Sequence, residues 1–210
     1  LGGLSMGADG GIGSTYNFMA EKFIKLSNDI DISGKQWIPI GIDGSRNVFS
    51  GNFDGAGYTV KGLTIGSFEF PNQELEYAGL FGYVIYNPGD LGLGRNVIEN
   101  LHVSGAIYSA VNTMYGSVGG VVGYAASKSY VLDCHSSVNV SGVNNLGGVV
   151  GSNDGGTVQR CYNTGSIRST GYCAGGVVGR NTIGSAVQYC YNTGSVRGTE
   201  QYVGGVVGYN

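Results

Sequence analysis

The stretch "GGVVG" at Gly147–Gly151, with "VQRCYNTGSI" after it at Val158–Ile167, decides the fold because both words recur. Further copies of the first word lie at Gly119–Gly123, Gly175–Gly179 and Gly204–Gly208. The second glycine of each word returns after 28, 28 and 29 residues. These glycines are Gly120, Gly148, Gly176 and Gly205. A fixed period of this length predicts stacked units that pack on their neighbours. We interpret "AGLFG" as a degenerate copy with its equivalent glycine at Gly79, 41 residues before Gly120, so that interval contains an insertion.

The second word contains one position at which leucine and cysteine exchange. The residues at this position are Leu101, Cys134, Cys161 and Cys190. A metal ligand cannot be replaced by leucine, whereas a buried packing residue can, and free cysteine packs as a small hydrophobe. No CxxC-type spacing typical of zinc sites occurs either. We therefore predict a structural column of core residues and no metal site.

These stacked cysteines would have Cα atoms near 5 Å apart, which is within disulfide range. Their side chains would point in parallel, however, and three residues cannot all pair, so we expect free thiols. Cys173 lies on a different part of the coil. Unpaired cysteines in an exported protein would indicate an anaerobic or poorly oxidising setting.

The composition favours strands over helices and excludes several classes of protein. The chain of 210 residues has 41 glycines, three prolines and 12% charged residues. Val, Ile, Tyr and Cys flank the turns, and proline is scarce, as in strands that all donate to a ladder. We predict an all-β fold, a parallel and right-handed β-helix (β-solenoid) with coils of about 28 residues. A net charge of −3 argues against nucleic-acid binding, and no apolar run is long enough to span a membrane.

The "NTG" of the second word indicates a turn, which we interpret as a corner of the coil. Asparagine tolerates left-handed backbone, and glycine reaches positive φ without a Cβ clash. Thr164 and Thr193 then lie in turns rather than in a regular outward threonine row, which argues against an ice-binding surface.

One residue after the Leu/Cys column, the sequence places a second column of rings. Its members are His102, His135, Tyr162 and Tyr191. Because neighbouring strand residues face opposite sides, an inward Leu/Cys column places these rings outward. Such a stripe is a candidate surface for a carbohydrate or a protein partner. The alternative is ordinary aromatic decoration of a β-surface.

Three carboxylates form a second candidate site. Asp29 and Asp31 alternate with isoleucines in "SNDIDIS", and Asp54 in "NFDGAG" could approach them from the neighbouring coil. Clustered carboxylates suit calcium or a glycosidase. A polysaccharide lyase also needs a base, and the repeat pattern places no lysine or arginine beside these acids. The alternative is a solvated strand face and a turn aspartate.

The words "GGVVGYN" and "CYNTGSV" at this spacing resemble the GLUG motif of large bacterial surface and secreted proteins. The segment Phe23–Ile65 resembles the sequence that commonly precedes such repeats, so the likeness covers about residues 22–210. It implies an extracellular stalk or binding module, and it carries over no catalytic residues.

The first 26 residues, with "GADGGIGSTYNFMAEKFIKL", resemble the C-terminal segment of N-acetylneuraminate lyases. Met19, Phe23 and Leu26 fall at helical spacing, which favours a short N-terminal helix that caps the solenoid. The likeness covers about one βα unit of a barrel, and the region of that family's Schiff-base lysine has no counterpart. We therefore expect no lyase activity.

We expect residues 1–22 to form a cap segment and residues 23–210 a single solenoid, with entry coils at 23–70 and repeats at 71–210. Because the chain stops inside a recurring word, we expect the protein to continue. The predicted function is that of a non-enzymatic, adhesin-like stalk at the cell surface or outside the cell, without a cofactor. Its expected partner is a host or cell-surface glycan or protein. Two alternatives stay open: a β-helical polysaccharide lyase or hydrolase, and a non-catalytic accessory domain of a large secreted peptidase.

Overall fold

The fold is a β-solenoid of about six turns, as the repeat words predict. A computed structural model of the chain describes residues 17–18, 22–42, 47–86, 95–182 and 184–210. Within these ranges every regular element is a strand and none is a helix. The strands pair in parallel with the equivalent strand of the next turn, so one period of the sequence corresponds to one turn.

Each turn contributes strands to four sheets, which we call A, B, C and D in chain order. Sheet A comprises Asn17–Phe18, Val48–Phe49, Phe81–Val84, Val122–Ala125, Val150–Asn153, Val178–Asn181 and Val207–Tyr209. Sheet B comprises Phe23–Lys25, Asn52–Asp54, Asn96–Glu99, Ser129–Leu132, Thr157–Gln159 and Ala186–Gln188. Sheet C comprises Ile30–Asp31, Thr59–Ile65, His102–Tyr108, His135–Gly142, Tyr162–Asn163, Ile167–Ser169, Tyr191–Asn192 and Val196–Gly198. Sheet D comprises Tyr77–Ala78, Ser117–Gly119, Leu146–Gly147, Ala174–Gly175 and Val203–Gly204.

The core is a column of apolar side chains inside the coils. Strand alternation directs Val and Ile inward, as in His102–Tyr108, where Val103 and Ile107 are buried. Toward the N-terminal end the filling is aromatic, since the ring of Phe81 lies 5.0 Å from that of Phe49 and 5.2 Å from that of Phe53. Trp37 packs beside them and donates its indole N–H to the Leu80 carbonyl at 3.0 Å.

Residues with left-handed backbone make the corners. The corner from sheet B to sheet C has φ between 52° and 54° at Asn100, Asp133, Arg160 and Tyr189. The corner from C to D has φ between 49° and 66° at Asn145, Cys173 and Tyr202. The corner from A to B uses Lys128, Gly155 and Gly184. A turn direction repeated at the same place in successive coils keeps the equivalent strands in register.

The prediction that "NTG" is a corner is wrong, because this segment lies inside sheet C. Ser136 pairs with Asn163 and Val140 with Ile167, so Thr164–Ser166 run alongside the middle of the continuous strand His135–Gly142. Gly165 does not have positive φ. Glycine is needed there because a Cβ would lie closer than 3.0 Å to the Val138 carbonyl oxygen of the preceding turn.

Three different close approaches explain the word "GGVVG", where the backbones of sheets D and A meet. A Cβ on Gly147 would lie closer than 3.0 Å to the Val150 carbonyl oxygen. A Cβ on Gly151 would lie equally close to the Val118 amide of the preceding turn. A Cβ on Gly148 would strike the Asn163 side chain and the Gly176 carbonyl oxygen. The spacing of the word therefore records backbone contact between two sheets.

Gly79 lies at a different register from the one we assigned to it. Ala78 pairs with Val118, but Phe81 pairs with Val122, so the earlier turn is one residue shorter between these pairs. Gly79 thus follows the strand in the place of Gly119 rather than of Gly120. The buried Leu80 comes next in this shorter connection.

The helical interpretation of Met19, Phe23 and Leu26 is wrong from Phe23 onward, because Phe23–Lys25 is a strand of sheet B. Phe23 is exposed and Leu26 is buried, as strand geometry requires of residues three apart. Met19 and residues 1–16, where a capping helix was expected, lie outside the described residues.

Candidate binding face on sheet C

The four predicted rings form one continuous ladder on the outer face of sheet C. His102 pairs with His135, His135 with Tyr162, and Tyr162 with Tyr191. The ring centroids of His135 and Tyr162 are 4.0 Å apart at an interplanar angle of 13°, and those of Tyr162 and Tyr191 are 4.8 Å apart at 5°. His102 meets His135 edge-on at 5.2 Å. The side chains are partly exposed, and Tyr191 is 53% exposed.

The electrostatic surroundings of the ladder favour a neutral His135. Burial lowers the pKa of His135, and the neighbouring His102 lowers it further. The Nε2 atom of His135 lies 3.2 Å from the Thr164 hydroxyl. The stacked rings of His135, Tyr162 and Tyr191 cover one another's faces, so the ladder presents ring edges and tyrosine hydroxyls to solvent as an uncharged, amphipathic ridge.

Polar side chains extend this ridge along two successive strands. In one turn the outward residues after Tyr162 are Thr164, Ser166 and Arg168. The next turn repeats the same row with Tyr191, Thr193, Ser195 and Arg197. The register places equivalent residues side by side. From tyrosine to arginine each row covers seven residues, which is six steps or roughly 20 Å at 3.3 Å per step. The face is therefore long enough for an extended ligand.

Sequence reasoning missed Arg168 and Arg197 as members of this face. The signal was present, because each arginine directly follows the repeated word "CYNTGSI" or "CYNTGSV". Interpreting "NTG" as a corner placed the arginines on another side of the coil, whereas the structure keeps the tyrosines and the arginines on one sheet.

The Leu/Cys column lies in the core behind the ladder. Leu101, Cys134 and Cys161 are fully buried, and Cys190 in the last turn is partly buried. All four cysteines are free thiols. The Cys134 amide donates to the Cys161 sulfur at 3.4 Å, and burial raises the pKa of Cys161 well above its usual range. The raised pKa values of Cys161 and Cys190 hold these two thiols in the protonated form, which is neither a nucleophile nor a metal ligand.

Cys173 belongs to a seam where the outer edges of sheets D and A meet. In this seam Tyr83 stacks on Tyr124 at 4.9 Å, and Tyr77 meets both rings edge-on. In the next turn the hydroxyls of Ser117 and Ser152 are 2.7 Å apart. Burial raises the pKa of Cys173. The seam holds sheets D and A together. The repeated words do not predict it, because its two columns lie on strands of different sheets.

Asparagine ladders fix the strand that carries the candidate face. The Asn163 side chain donates to Asn192 at 2.9 Å and to the Gly165 carbonyl at 2.7 Å. Asn163 is fully buried, and its side-chain oxygen Oδ1 accepts a hydrogen bond from the Gly165 amide. The asparagine of "NTG" therefore points into the coil and satisfies the backbone at the interruption of the strand, which keeps Tyr162 and Arg168 on one sheet.

The three predicted carboxylates do not come together. Asp54 lies in sheet B in register with Lys25, and the two side chains form an ion pair at 3.0 Å. Asp29 forms an ion pair with Lys61 at 2.8 Å, and Asp31 accepts hydrogen bonds from Ser33. The expectation that no lysine lies beside these acids is wrong, because Lys25 pairs with Asp54 and Lys61 pairs with Asp29, in each case from an adjacent turn. Within the described part of the chain, no group of three His, Cys, Asp or Glu residues is arranged to hold a metal ion.

The pKa shifts of these acids agree with a structural role. Hydrogen bonds from Lys61 and the Thr59 amide lower the pKa of Asp29, and bonds from Ser33 lower that of Asp31. Burial works to raise the pKa of Asp54, but hydrogen bonds from Lys25, the Ala56 amide and Asn100 outweigh it. A general acid needs a raised pKa, so none of the three suits that task.

Comparison with known proteins agrees with the repeat words. The family model described as "The GLUG motif" matches residues 142–168 and 170–197. These ranges contain the two rows from Tyr162 to Arg168 and from Tyr191 to Arg197. The chain therefore carries two GLUG motifs, and each motif corresponds to one turn of the solenoid.

Two individual proteins share parts of the chain. A "Putative Gly-rich membrane protein" of Evansella cellulosilytica is 34% identical over 86 residues, 41% of this chain and 9% of that protein. The solved structure of a "putative immunoglobulin A1 protease" from Bacteroides ovatus superposes with a TM-score of 0.55 at 20% identity, over 88% of this chain and 66% of that one. At this identity the likeness shows the fold alone. The chain spans less than two thirds of both relatives. No helix in the described ranges is long and apolar enough to cross a membrane.

Proposed function

We propose that the chain is a non-catalytic binding segment of a bacterial cell-surface or secreted protein, and that it presents the outer face of sheet C to a glycan. The GLUG motifs and the likeness to the "putative immunoglobulin A1 protease" and the "Putative Gly-rich membrane protein" support the location. The solenoid acts as a stiff rod, because each turn is hydrogen-bonded to the next along all four sheets.

The observation that carries this proposal is the stacked ladder of His135, Tyr162 and Tyr191. Partly exposed aromatic rings stacked within 5 Å of one another form a rigid ridge of ring edges, which needs little ordering when a ligand binds. The Thr164 hydroxyl lies 3.2 Å from His135 Nε2, and Thr193 is exposed at the equivalent position of the next turn. Sugars present C–H groups and hydroxyls, and this face offers apolar ring edges to the first and hydrogen-bonding groups to the second.

A glycan array tests the proposal with four proteins. We expect the wild-type chain to bind a subset of glycans, and the double variant Tyr162→Ala/Tyr191→Ala to lose at least about tenfold in affinity, as for a central aromatic contact. Tyr162→Phe/Tyr191→Phe keeps the rings and should keep most of the binding. Tyr172→Ala removes a tyrosine that is 50% exposed at the C-to-D corner, away from the ladder, and serves as the matched control. Equal binding by all four proteins, or no binding by the wild-type chain, contradicts the proposal.

A second candidate is an accessory domain of a large secreted peptidase, favoured by the superposition on the Bacteroides ovatus protein. In that case the rod spaces or presents a catalytic domain encoded elsewhere in the same protein. The flanking coding sequence distinguishes the two, because a metallopeptidase domain would contain an HExxH helix.

The enzymatic alternative, a polysaccharide lyase or hydrolase, has less support. Asp29 and Asp54 are ion-paired with lysines in different sheets, and Asp31 is bonded to Ser33. An absorbance assay for unsaturated products from uronate polymers, with and without calcium, would have to detect turnover for this alternative to replace the binding role.

A further inference from the structure

The arginine side chains at the far end of the candidate face are unpaired, unlike those of Lys25, Lys61 and Arg160. Arg168 and Arg197 are exposed, and neither side chain forms an ion pair or hydrogen bond with a described residue. By contrast, Arg160 makes a two-pronged bond to Asp133 of the preceding turn, at 2.6 Å for each nitrogen. Arg95 and Lys128 lie over the rings of Tyr130 and Tyr86.

The two free guanidinium groups are direct register partners on adjacent strands. Arg168 pairs with Arg197, so their Cα atoms are about 4.8 Å apart. Like charges directly opposite each other in a sheet are destabilising. The preceding position of the same column is Ser141, which adds a hydroxyl and no negative charge. A concentrated positive charge therefore stands on a chain whose net charge is −3.

We infer that Arg168 and Arg197 form an anion subsite, and that the ligand of the face is an acidic glycan bearing a carboxylate, such as a uronic acid oligosaccharide. This inference rests on the proposed glycan-binding function. Planar guanidinium groups match a carboxylate through parallel N–H donors. One extended glycan chain then binds along the row of Tyr162, Thr164, Ser166 and Arg168. The tyrosine contacts it at one end of the row, and the arginine binds a carboxylate at the other end.

Nucleic acid is a poorer match for the same face. A phosphate-rich polymer needs basic residues along its whole path, whereas here two arginines stand at one end of two rows whose other outward residues are neutral. A glycan with intermittent carboxylates requires no more positive charge than this.

The inference is tested with matched glycans on one array, with affinities of the matched hexamers measured by calorimetry. The acidic probe is α-1,4-linked hexagalacturonate, and the neutral one is its carboxyl-reduced product, the galactose hexamer. We expect wild type to prefer the acidic hexamer by about tenfold, the effect of one charge-assisted contact. R168Q/R197Q should lose this preference, because its affinity falls more for the acidic hexamer than for the neutral one. The control K22Q/K35Q removes two exposed positive charges elsewhere and should keep the preference.

Distinct outcomes separate this inference from the proposed function. If wild type binds glycans but prefers no carboxylated glycan on the array to its neutral partner, or if R168Q/R197Q keeps the preference, the anion subsite is wrong and glycan binding stands. If a sulfated glycan binds and no carboxylated one does, the carboxylate assignment is overturned. If the wild-type chain binds no glycan at all, the proposed function itself fails. Unchanged melting of R168Q/R197Q excludes unfolding as the cause of any loss.

Discussion

Replacing Gly148 by alanine tests whether the word "GGVVG" records steric contact between coils. A Cβ at this position would lie closer than 3.0 Å to both the Asn163 side chain and the Gly176 carbonyl oxygen. Neither neighbour can yield freely. Asn163 is buried and bonded to Asn192 and Gly165, and the Gly148 amide donates to the Gly176 carbonyl at 3.2 Å.

The size of the effect follows from these contacts. Moving Asn163 aside weakens three hydrogen bonds of its side chain, worth about 1 kcal/mol each if lost, and separating the strands strains the bond from Gly148 to Gly176. The backbone of Gly148 itself accepts alanine, since its φ is not positive. We expect Gly148→Ala to lower the free energy of unfolding by about 3 kcal/mol, at the upper end of overpacking costs. For a chain of this length the melting temperature falls by roughly 6–12 °C.

The matched control is Gly205→Ala, in the same position of the last turn. A Cβ there meets no atom within 4 Å, so we expect a change of about 0.5 kcal/mol or less. Thermal unfolding followed by circular dichroism measures both variants. A melting temperature for Gly148→Ala within about 2 °C of wild type would refute the steric explanation of the word.

Three further results are expected. Because the pKa of His135 is lowered in the folded chain, the unfolded chain takes up more protons below about pH 6.5; melting temperatures should therefore fall from pH 7 to pH 5, and His135→Tyr, which copies the next turn, should flatten that fall. Asn163→Ala should cost about 2 kcal/mol because it leaves the buried Gly165 amide and carbonyl unsatisfied. Asn192→Ala removes the equivalent bonds to Gly194 from a partly buried site and should cost less; urea unfolding measures both, and equal costs would contradict the role of burial. In the folded chain a thiol reagent should label Cys190 before Cys161, since only Cys161 is fully buried, and the two should react at equal rates in urea; Cys161 reacting first in the folded chain would contradict the burial.

The period of the sequence predicts which residues stack, and these predictions agree with the structure. Residues at equivalent positions of successive repeats are register partners, as His135 and Tyr162 are, because a parallel solenoid aligns each repeat with the next. The inward column follows from strand alternation in the same way. Leu101 and Cys161 are buried because they occupy one position of one turn.

The period does not predict which columns face each other across a coil. The seam from Tyr77 to Tyr83 joins positions that no word relates. The stacked pair of Lys25 and Asp54 lies in the entry coils, which the repeated words do not cover. Local turn statistics predict a corner at "NTG", and this prediction is wrong. The chain turns three residues earlier, at Arg160, whose backbone is in the left-handed region. A buried asparagine and a glycine required by close approach look the same in sequence as a turn.

Glycan binding by this chain, as proposed, takes place on the ring ladder of sheet C. The most direct measurement is NMR of the labelled histidine and tyrosine rings during titration with hexagalacturonate and, separately, with the galactose hexamer. The account predicts that ring signals of His135, Tyr162 and Tyr191 shift together and saturate, while those of Tyr172 stay in place. Shifts confined to tyrosines outside the ladder, or no ring shift with any glycan that binds on the array, would contradict it.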